Sequence, residues 1–204
     1  AAGSGSRMAA ACNKIFLTLA DKAIFQYGLE LFLSDSDCKQ VILVGKAEEK
    51  SYFTDYLSDR VCFVVGGAER QDSVRHALKE VSEDAVMIHD GARPFVEKNW
   101  IFDLKQTLET ESACLLMVPS VDTTKIVVDG YVKESLERKL VYHAQTPQCF
   151  KTDLIKECHK LARDKQVQAT DDAQLVEWFS DTKVKVVLSS FTNKKITLPE
   201  DLKG

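Results

Sequence analysis

The sequence predicts an α/β fold: a mostly parallel sheet with helices on both faces, in a single domain over residues 1–204, with a β-arm projecting at about 122–145. Three observations carry this. Short, wholly apolar runs recur, as in strands covered on both faces. Helix-spaced stretches lie between them, and strand–helix alternation builds a parallel sheet. One segment breaks the alternation with two β-branched runs around an Asp-Gly turn.

The chain opens with Ala1-Ala2-Gly3-Ser4-Gly5-Ser6-Arg7-Met8. Two glycines one residue apart permit a tight turn that brings backbone N–H groups to a ligand. Arg7 supplies a donor fork suited to phosphate, and Lys14 adds a second cation. A glycine turn with spaced cations describes a nucleoside triphosphate site; a tag or a frayed terminus is the plain alternative. The strand that should lead into this turn is expected before Ala1, and the sequence holds none there.

Val41-Ile42-Leu43-Val44 reads as a strand ending in Gly45, and Val61-Cys62-Phe63-Val64-Val65 as one ending in Gly66-Gly67. Between the second of these and the next strand, Val74, Ala77, Leu78 and Val81 share a helix face, with Asp72 and Ser73 near its start. Ala85-Val86-Met87-Ile88 leads into His89-Asp90-Gly91, and Cys114-Leu115-Leu116-Met117-Val118 into Pro119. In the arm, Lys125-Ile126-Val127-Val128 and Tyr131-Val132-Lys133 flank Asp129-Gly130, a hairpin signal. Its exposed edges call for cover, and a partner subunit is the simplest source.

Composition narrows the function classes. With 204 residues, 45% hydrophobic and 28% charged, the chain can bury a full core as a soluble domain. A net charge of −4 argues against a polybasic nucleic-acid or membrane surface. No apolar run is long enough to span a bilayer. The six cysteines are widely and irregularly spaced with no C-x-x-C pair, which reads as reduced thiols in a reducing compartment. The four histidines show no metal-ligand spacing with them. The expected location is cytoplasmic, or plastid if a targeting segment has been removed.

Parallel-sheet proteins bind ligands at the carboxyl ends of their strands, and the unusual residues gather there. Gly66-Gly67-Ala68-Glu69-Arg70 opens the helix bearing Ser73. The glycines allow close backbone approach and Ser73 can meet a base edge, or Asp72 and Ser73 cap the helix. In His89-Asp90-Gly91-Ala92-Arg93-Pro94, Asp90 suits a ribose or polyol hydroxyl, and Arg93 suits a phosphate or pairing with Asp90. Asp122-Thr123-Thr124-Lys125, Gln145-Thr146-Pro147-Gln148-Cys149-Phe150, Thr170-Asp171-Asp172-Ala173 and Lys194-Lys195-Ile196-Thr197-Leu198-Pro199-Glu200-Asp201-Leu202 follow. Each alone is readable as a turn or a cap: Thr170 is a natural N-cap, and Asp171 and Asp172 suit a helix dipole. A dinucleotide-binding fingerprint needs a third glycine where Met8 stands, and neither a Walker A loop nor a G-x-S-x-G elbow is present.

As an ordered set, these motifs make the chain resemble the 2-C-methyl-D-erythritol 4-phosphate cytidylyltransferase family from Ala1 to Leu202. Asn13 and Ile15 stand where that family usually has Pro and Gln around Lys14, and Gly91 replaces an Ala. The resemblance implies a Rossmann-like nucleotidyltransferase sheet and transfer of a cytidylyl group from CTP to methylerythritol phosphate, with release of pyrophosphate. It implies catalytic roles for Arg7, Lys14 and Lys195. Ala1, Ala2, Gly3, Gly5, Gly67, Ser73 and Asp90 would bind the nucleotide. Asp90, Arg93, Thr123, Arg138, Thr146 and Thr170 would bind the acceptor. It further implies Mg²⁺ carried on the CTP phosphates rather than by protein ligands, and a homodimer in which Thr123 and Arg138 on the arm complete the neighbour's site. Two alternatives stand beside it: a cytidylyltransferase acting on ribitol 5-phosphate, and a non-catalytic nucleotide-binding homologue.

Overall fold

The computed structural model describes residues 13–197 and 201. Ala1, Ala2, Gly3, Gly5 and Arg7 lie outside the described residues. In chain order the elements are β1 (Thr18–Leu19), β2 (Lys22–Ala23), α1 (Ile24–Leu33), β3 (Val41–Gly45), α2 (Lys50–Phe53), β4 (Val61–Val65), α3 (Arg70–Leu78), β5 (Ala85–Ile88), α4 (Lys98–Thr110), β6 (Ala113–Pro119), β7 (Lys125–Val128), β8 (Tyr131–Ser135), β9 (Tyr142–Lys151), α5 (Thr152–Asp164), α6 (Asp172–Phe179) and β10 (Lys185–Leu188).

Four strands form one sheet in the order β10-β6-β9-β5, and β3 pairs with β4 alone. β10 runs parallel to β6, whereas β9 runs antiparallel to both its neighbours. Three strands of the four therefore point one way, and β3 and β4 are parallel to each other. The sequence pattern extends the arm to about residue 145. Instead, the hairpin is β7–β8 alone, and β9 enters the sheet at Tyr142. Polar Gln145, Thr146 and Gln148 hid β9, because they interrupt the apolar pattern by which a buried strand is read.

Period-2 alternation sorts the side chains onto two faces. Ala113, Leu115 and Phe150 pack with α5 and α6, through Ile155, Cys158, Ala162, Leu175 and Val176. Cys114, Leu116 and Cys149 point the other way, onto Trp100, Ile101, Leu104 and Leu108 of α4. A third cluster joins Ile15, Phe25, Leu29, Phe53 and Val61. Helices thus cover both faces, as the sequence predicted. Cys38, Cys62, Cys114, Cys149 and Cys158 carry free thiols.

The edge of β3 not paired to β4 and the edge of β5 not paired to β9 both line a cleft of about 1050 Å³. Its walls also include Phe25 and Leu29 of α1 and Val74, Ala77 and Leu78 of α3. The arm stands apart from this packing. Every residue of β7 and β8 is exposed, and Asp129 and Gly130 take φ of 51° and 83°, the left-handed pair that a two-residue hairpin turn needs.

Candidate active site

The polar end of the cleft is where β5 runs out into His89 and Asp90. Lys14, Arg70, Ser73, Asp90, Lys195 and Thr197 line it together. Residues separated by up to 183 positions (14 and 197) thus share one cavity.

Asp90 is the centre. Its side chain is only 16% exposed, yet both oxygens are engaged by cations: Arg70 Nε donates to Oδ1 at 3.3 Å, and Lys195 Nζ to Oδ2 at 2.7 Å. Burial alone would push this carboxyl up, but the Arg70 and Lys195 charges outweigh burial and hold it well below the usual range. Arg93, the partner the sequence suggested, is turned elsewhere. Its Nη1 donates to the Asn193 carbonyl at 2.7 Å, and its buried Nε has no hydrogen-bond partner among the described residues. Arg70 takes the pairing because its side chain starts the helix directly beside Asp90, while Arg93 shares only a backbone bond with it, N–H to the Asp90 carbonyl.

His89 fixes the backbone here. Its Nε2 lies 3.1 Å from the Arg93 carbonyl and its Nδ1 3.1 Å from Thr146 Oγ1, which also accepts the Asp90 N–H at 3.0 Å. One assignment satisfies all three contacts: a neutral ring that donates from Nε2 and accepts from the Thr146 hydroxyl at Nδ1. Burial pushes His89 down to about 4.

Lys195 is held by its neighbours. Asn193 is fully buried and its Nδ2 donates to Gln145 Oε1 and the Thr146 carbonyl. Ile196 is fully buried too, and its N–H donates to the Ala92 carbonyl. Lys14 is set the same way. Asn13 accepts from the Ile15 N–H and donates to Glu49, while Ile15 is buried and Phe16 stacks on Tyr52 at 4.4 Å. The two unusual neighbours of Lys14 are therefore anchors of its turn.

Ser73 is a buried residue inside α3, not its N-cap, which is Glu69. Its hydroxyl donates to the Glu69 carbonyl and accepts the Gly67 N–H at 3.0 Å. A Cβ on Gly67 would stand 2.3 Å from Asp72 Cβ, so only glycine fits there. Likewise α6 is capped by Asp171, whose side chain accepts the Gln174 N–H; Thr170 is exposed and bonds Gln174 Oε1. Thr123 and Arg138 are exposed beside the arm, the Arg138 guanidinium donating to the Val121 carbonyl, and neither lines the cleft.

Sequence reasoning gave no role to Arg70, Gln145, Gln148 or Asn193. Arg70 was visible as the cation of the Gly66-Gly67 motif, but its second partner, Asp172, lies 102 positions away. Among the described residues, no cluster of three or more metal-type side chains occurs, and no helix is long and apolar enough to cross a membrane.

Comparison with known proteins supplies the remaining constraint. The family model described as 2-C-methyl-D-erythritol 4-phosphate cytidylyltransferase matches residues 1–204. A Bacillus mycoides protein of that name is 42% identical, over 99% of this chain and 92% of its own length. One from Clostridioides difficile is 39% identical, over 99% and 88%. The crystal structure of 4-diphosphocytidyl-2C-methyl-D-erythritol synthase from Anaerococcus prevotii superposes with a TM-score of 0.88 at 29% identity, covering 96% of this chain and 90% of that one. The Thermus thermophilus cytidylyltransferase structure gives 0.80 at 30% identity, covering 96% and 93%.

The His89 geometry sets a pH dependence. The folded ring titrates near 4 and the unfolded ring near 6.5, so the unfolded state takes up the proton first as pH falls. Stability present above pH 6.5 is lost progressively toward pH 4, by about 3 kcal/mol. Urea unfolding across that window is expected to show this slope in the wild type and a flatter one in His89→Gln. Equal slopes would show that His89 is not the group responsible.

Proposed function

The chain belongs to the 2-C-methyl-D-erythritol 4-phosphate cytidylyltransferase family, and from that premise we infer how its residues share the reaction. It is a nucleotidyltransferase that moves the cytidylyl group of CTP to 2-C-methyl-D-erythritol 4-phosphate, releasing pyrophosphate and forming 4-diphosphocytidyl-2-C-methyl-D-erythritol. Ribitol 5-phosphate transfer and non-catalytic binding are not favoured by this membership.

The acceptor phosphate oxygen attacks the α-phosphorus of CTP. A new O–P bond forms, the bond to the bridging oxygen of the β-phosphate breaks, and pyrophosphate leaves with that electron pair. No protein nucleophile is needed, so catalysis rests on holding two anions together and stabilising the charge that develops between them. The cleft end that gathers Lys14, Arg70, Asp90 and Lys195 is the observation that carries this assignment.

Lys14 and Arg7 hold the triphosphate, and Lys195 turns from Asp90 to the α-phosphate or the attacking phosphate. The glycine turn of Ala1, Ala2, Gly3 and Gly5, with Gly67 and Ser73, surrounds base and ribose. With its proton on the Glu69 carbonyl, Ser73 offers a ligand a lone pair, which suits the exocyclic amine of cytosine. Asp90 takes a sugar or polyol hydroxyl once Lys195 has moved. Arg93, Thr146 and Thr170 serve the acceptor. Both Asp90 oxygens face cations, so Mg²⁺ arrives on the CTP phosphates rather than on this carboxylate.

The exposed arm supports a homodimer with shared sites. Val127, Tyr131, Val132 and Leu140 are exposed apolar side chains on and just after it, and the hairpin buries none of them against its own chain. Thr123 and Arg138 sit at its base, outside the cleft of their own chain, and in this reading they reach the partner's acceptor. The free thiols and the bacterial relatives support a cytoplasmic location.

Pyrophosphate release with CTP and Mg²⁺ is expected with methylerythritol phosphate and not with ribitol 5-phosphate; the reverse preference would overturn the acceptor. Lys195→Ala is expected to lower kcat by at least about 100-fold while leaving the thermal transition in place. Near-normal turnover in that variant would remove Lys195 from the mechanism. For the shared site, Lys195→Ala and Arg138→Ala proteins are mixed under subunit exchange. One hybrid site then carries both defects and the other none, so activity well above either parent is expected. No recovery, with exchange confirmed by mass, would mean that each subunit works alone.

A further inference from the structure

Behind Asp90 runs a row of linked polar side chains that the transfer chemistry leaves unused. Arg70 Nε bonds Asp90, while Arg70 Nη1 bonds Asp172 Oδ2 at 2.7 Å. The other oxygen of Asp172 lies 3.0 Å from His159 Nε2. Asp172 and His159 are each 1% exposed, and among the described residues His159 Nδ1 has no hydrogen-bond partner. Together with Lys195, five side chains from α5, α6, α3, the end of β5 and the C-terminal segment form one ladder in which every carboxylate oxygen is engaged.

Burying such a set is costly unless it holds a geometry. The planar guanidinium is what makes it specific: its Nε edge faces one carboxylate and its Nη1 the other, so the two acids are locked at a set spacing and angle. Asp172 cannot drift, because Gln148 Oε1 accepts the N–H groups of Asp172 and Ala173, and Gln148 Nε2 donates to Asp171. Gln148 is itself a fully buried residue of the central strand β9. The ladder therefore has a rigid end at α6 and a reacting end at Lys195.

We propose that Arg70 is a positioning residue for cytidylyl transfer, braced by Asp172 and His159, which through Asp90 sets where Lys195 Nζ stands. This rests on the assignment of Asp90 and Lys195 to the site. When phosphate draws Lys195 away, Arg70 remains as the one cation on Asp90 among these five side chains, and keeps the carboxylate charged and aimed. A short, unbranched ammonium would not do this, since it cannot face both acids along the two edges of a plane.

Steady-state kinetics of Asp172→Asn, Asp90→Asn and the double variant, each normalised to folded active sites, test the proposal. Asp172→Asn is expected to lower kcat about tenfold with the KM for CTP changed by less than about twofold. In the Asp90→Asn background the same change is expected to alter kcat by less than about twofold, because its route to Lys195 is already cut. An equal effect in both backgrounds, or a lowered melting temperature with unchanged kcat, would overturn the proposal and leave Asp172 a structural residue. Unchanged kinetics in Asp90→Asn itself would instead refute the site assignment. If Asp172→Asn fails to fold, Arg70→Lys carries the same comparison with Asp90→Asn, with the same expected non-additivity.

Discussion

One carboxylate, nearly stripped of water and clamped between two cations, is the constraint around which the site is arranged. Asp90 sits at the end of β5 where its solvation is largely lost. A charge in that position is tolerable only if it is paired and hydrogen-bonded. Removing one partner of such a buried pair typically costs about 3–5 kcal/mol, because the remaining charge stays behind. Arg70 and Lys195 answer that need from opposite directions, but unequally. Arg70 is tied back to buried Asp172, whereas Lys195 is 40% exposed and pairs with no second carboxylate among the described residues. The stiff partner keeps Asp90 in place, and the loose one is available to an incoming phosphate.

The central strand β9 supplies the rigidity. Its Gln145-Thr146-Pro147-Gln148 stretch is buried, and each polar side chain in it ties down a different part of the site. Gln145 binds the C-terminal segment through Ser189, Ser190 and Asn193. Thr146 binds His89 and the Asp90 backbone, and Gln148 binds the start of α6. Polar groups placed in a sheet interior are expensive unless all are satisfied, and a satisfied network specifies one arrangement. The binding surface is thus built from the interior outward, with the arm, whose strands are exposed throughout, added at the periphery.

What was legible in the sequence follows from what depends on local pattern. Strands β3 to β6 and the hairpin announce themselves by apolar runs and by Asp129-Gly130, since those signals arise within a few residues. Asp90 and Lys195 were visible as polar residues at ends of strands and in a terminal motif, and the structure does bring them together. Arg70 was not read, because its value lies in two partners at positions 90 and 172, and no local rule encodes a contact across such separations. Nor was β9, whose buried glutamines imitate a loop. The helix caps moved by a residue or more for a similar reason: Asp171 rather than Thr170 caps α6 because Gln148 engages its other carboxylate oxygen.

The most direct test of this account is a crystal structure with CTP, Mg²⁺ and methylerythritol phosphate bound, read at one atom. Lys195 Nζ is expected to leave Asp90 for a phosphate oxygen, while Arg70 keeps both Asp90 and Asp172. Phosphates bound elsewhere, with Lys195 still resting on Asp90, would contradict it.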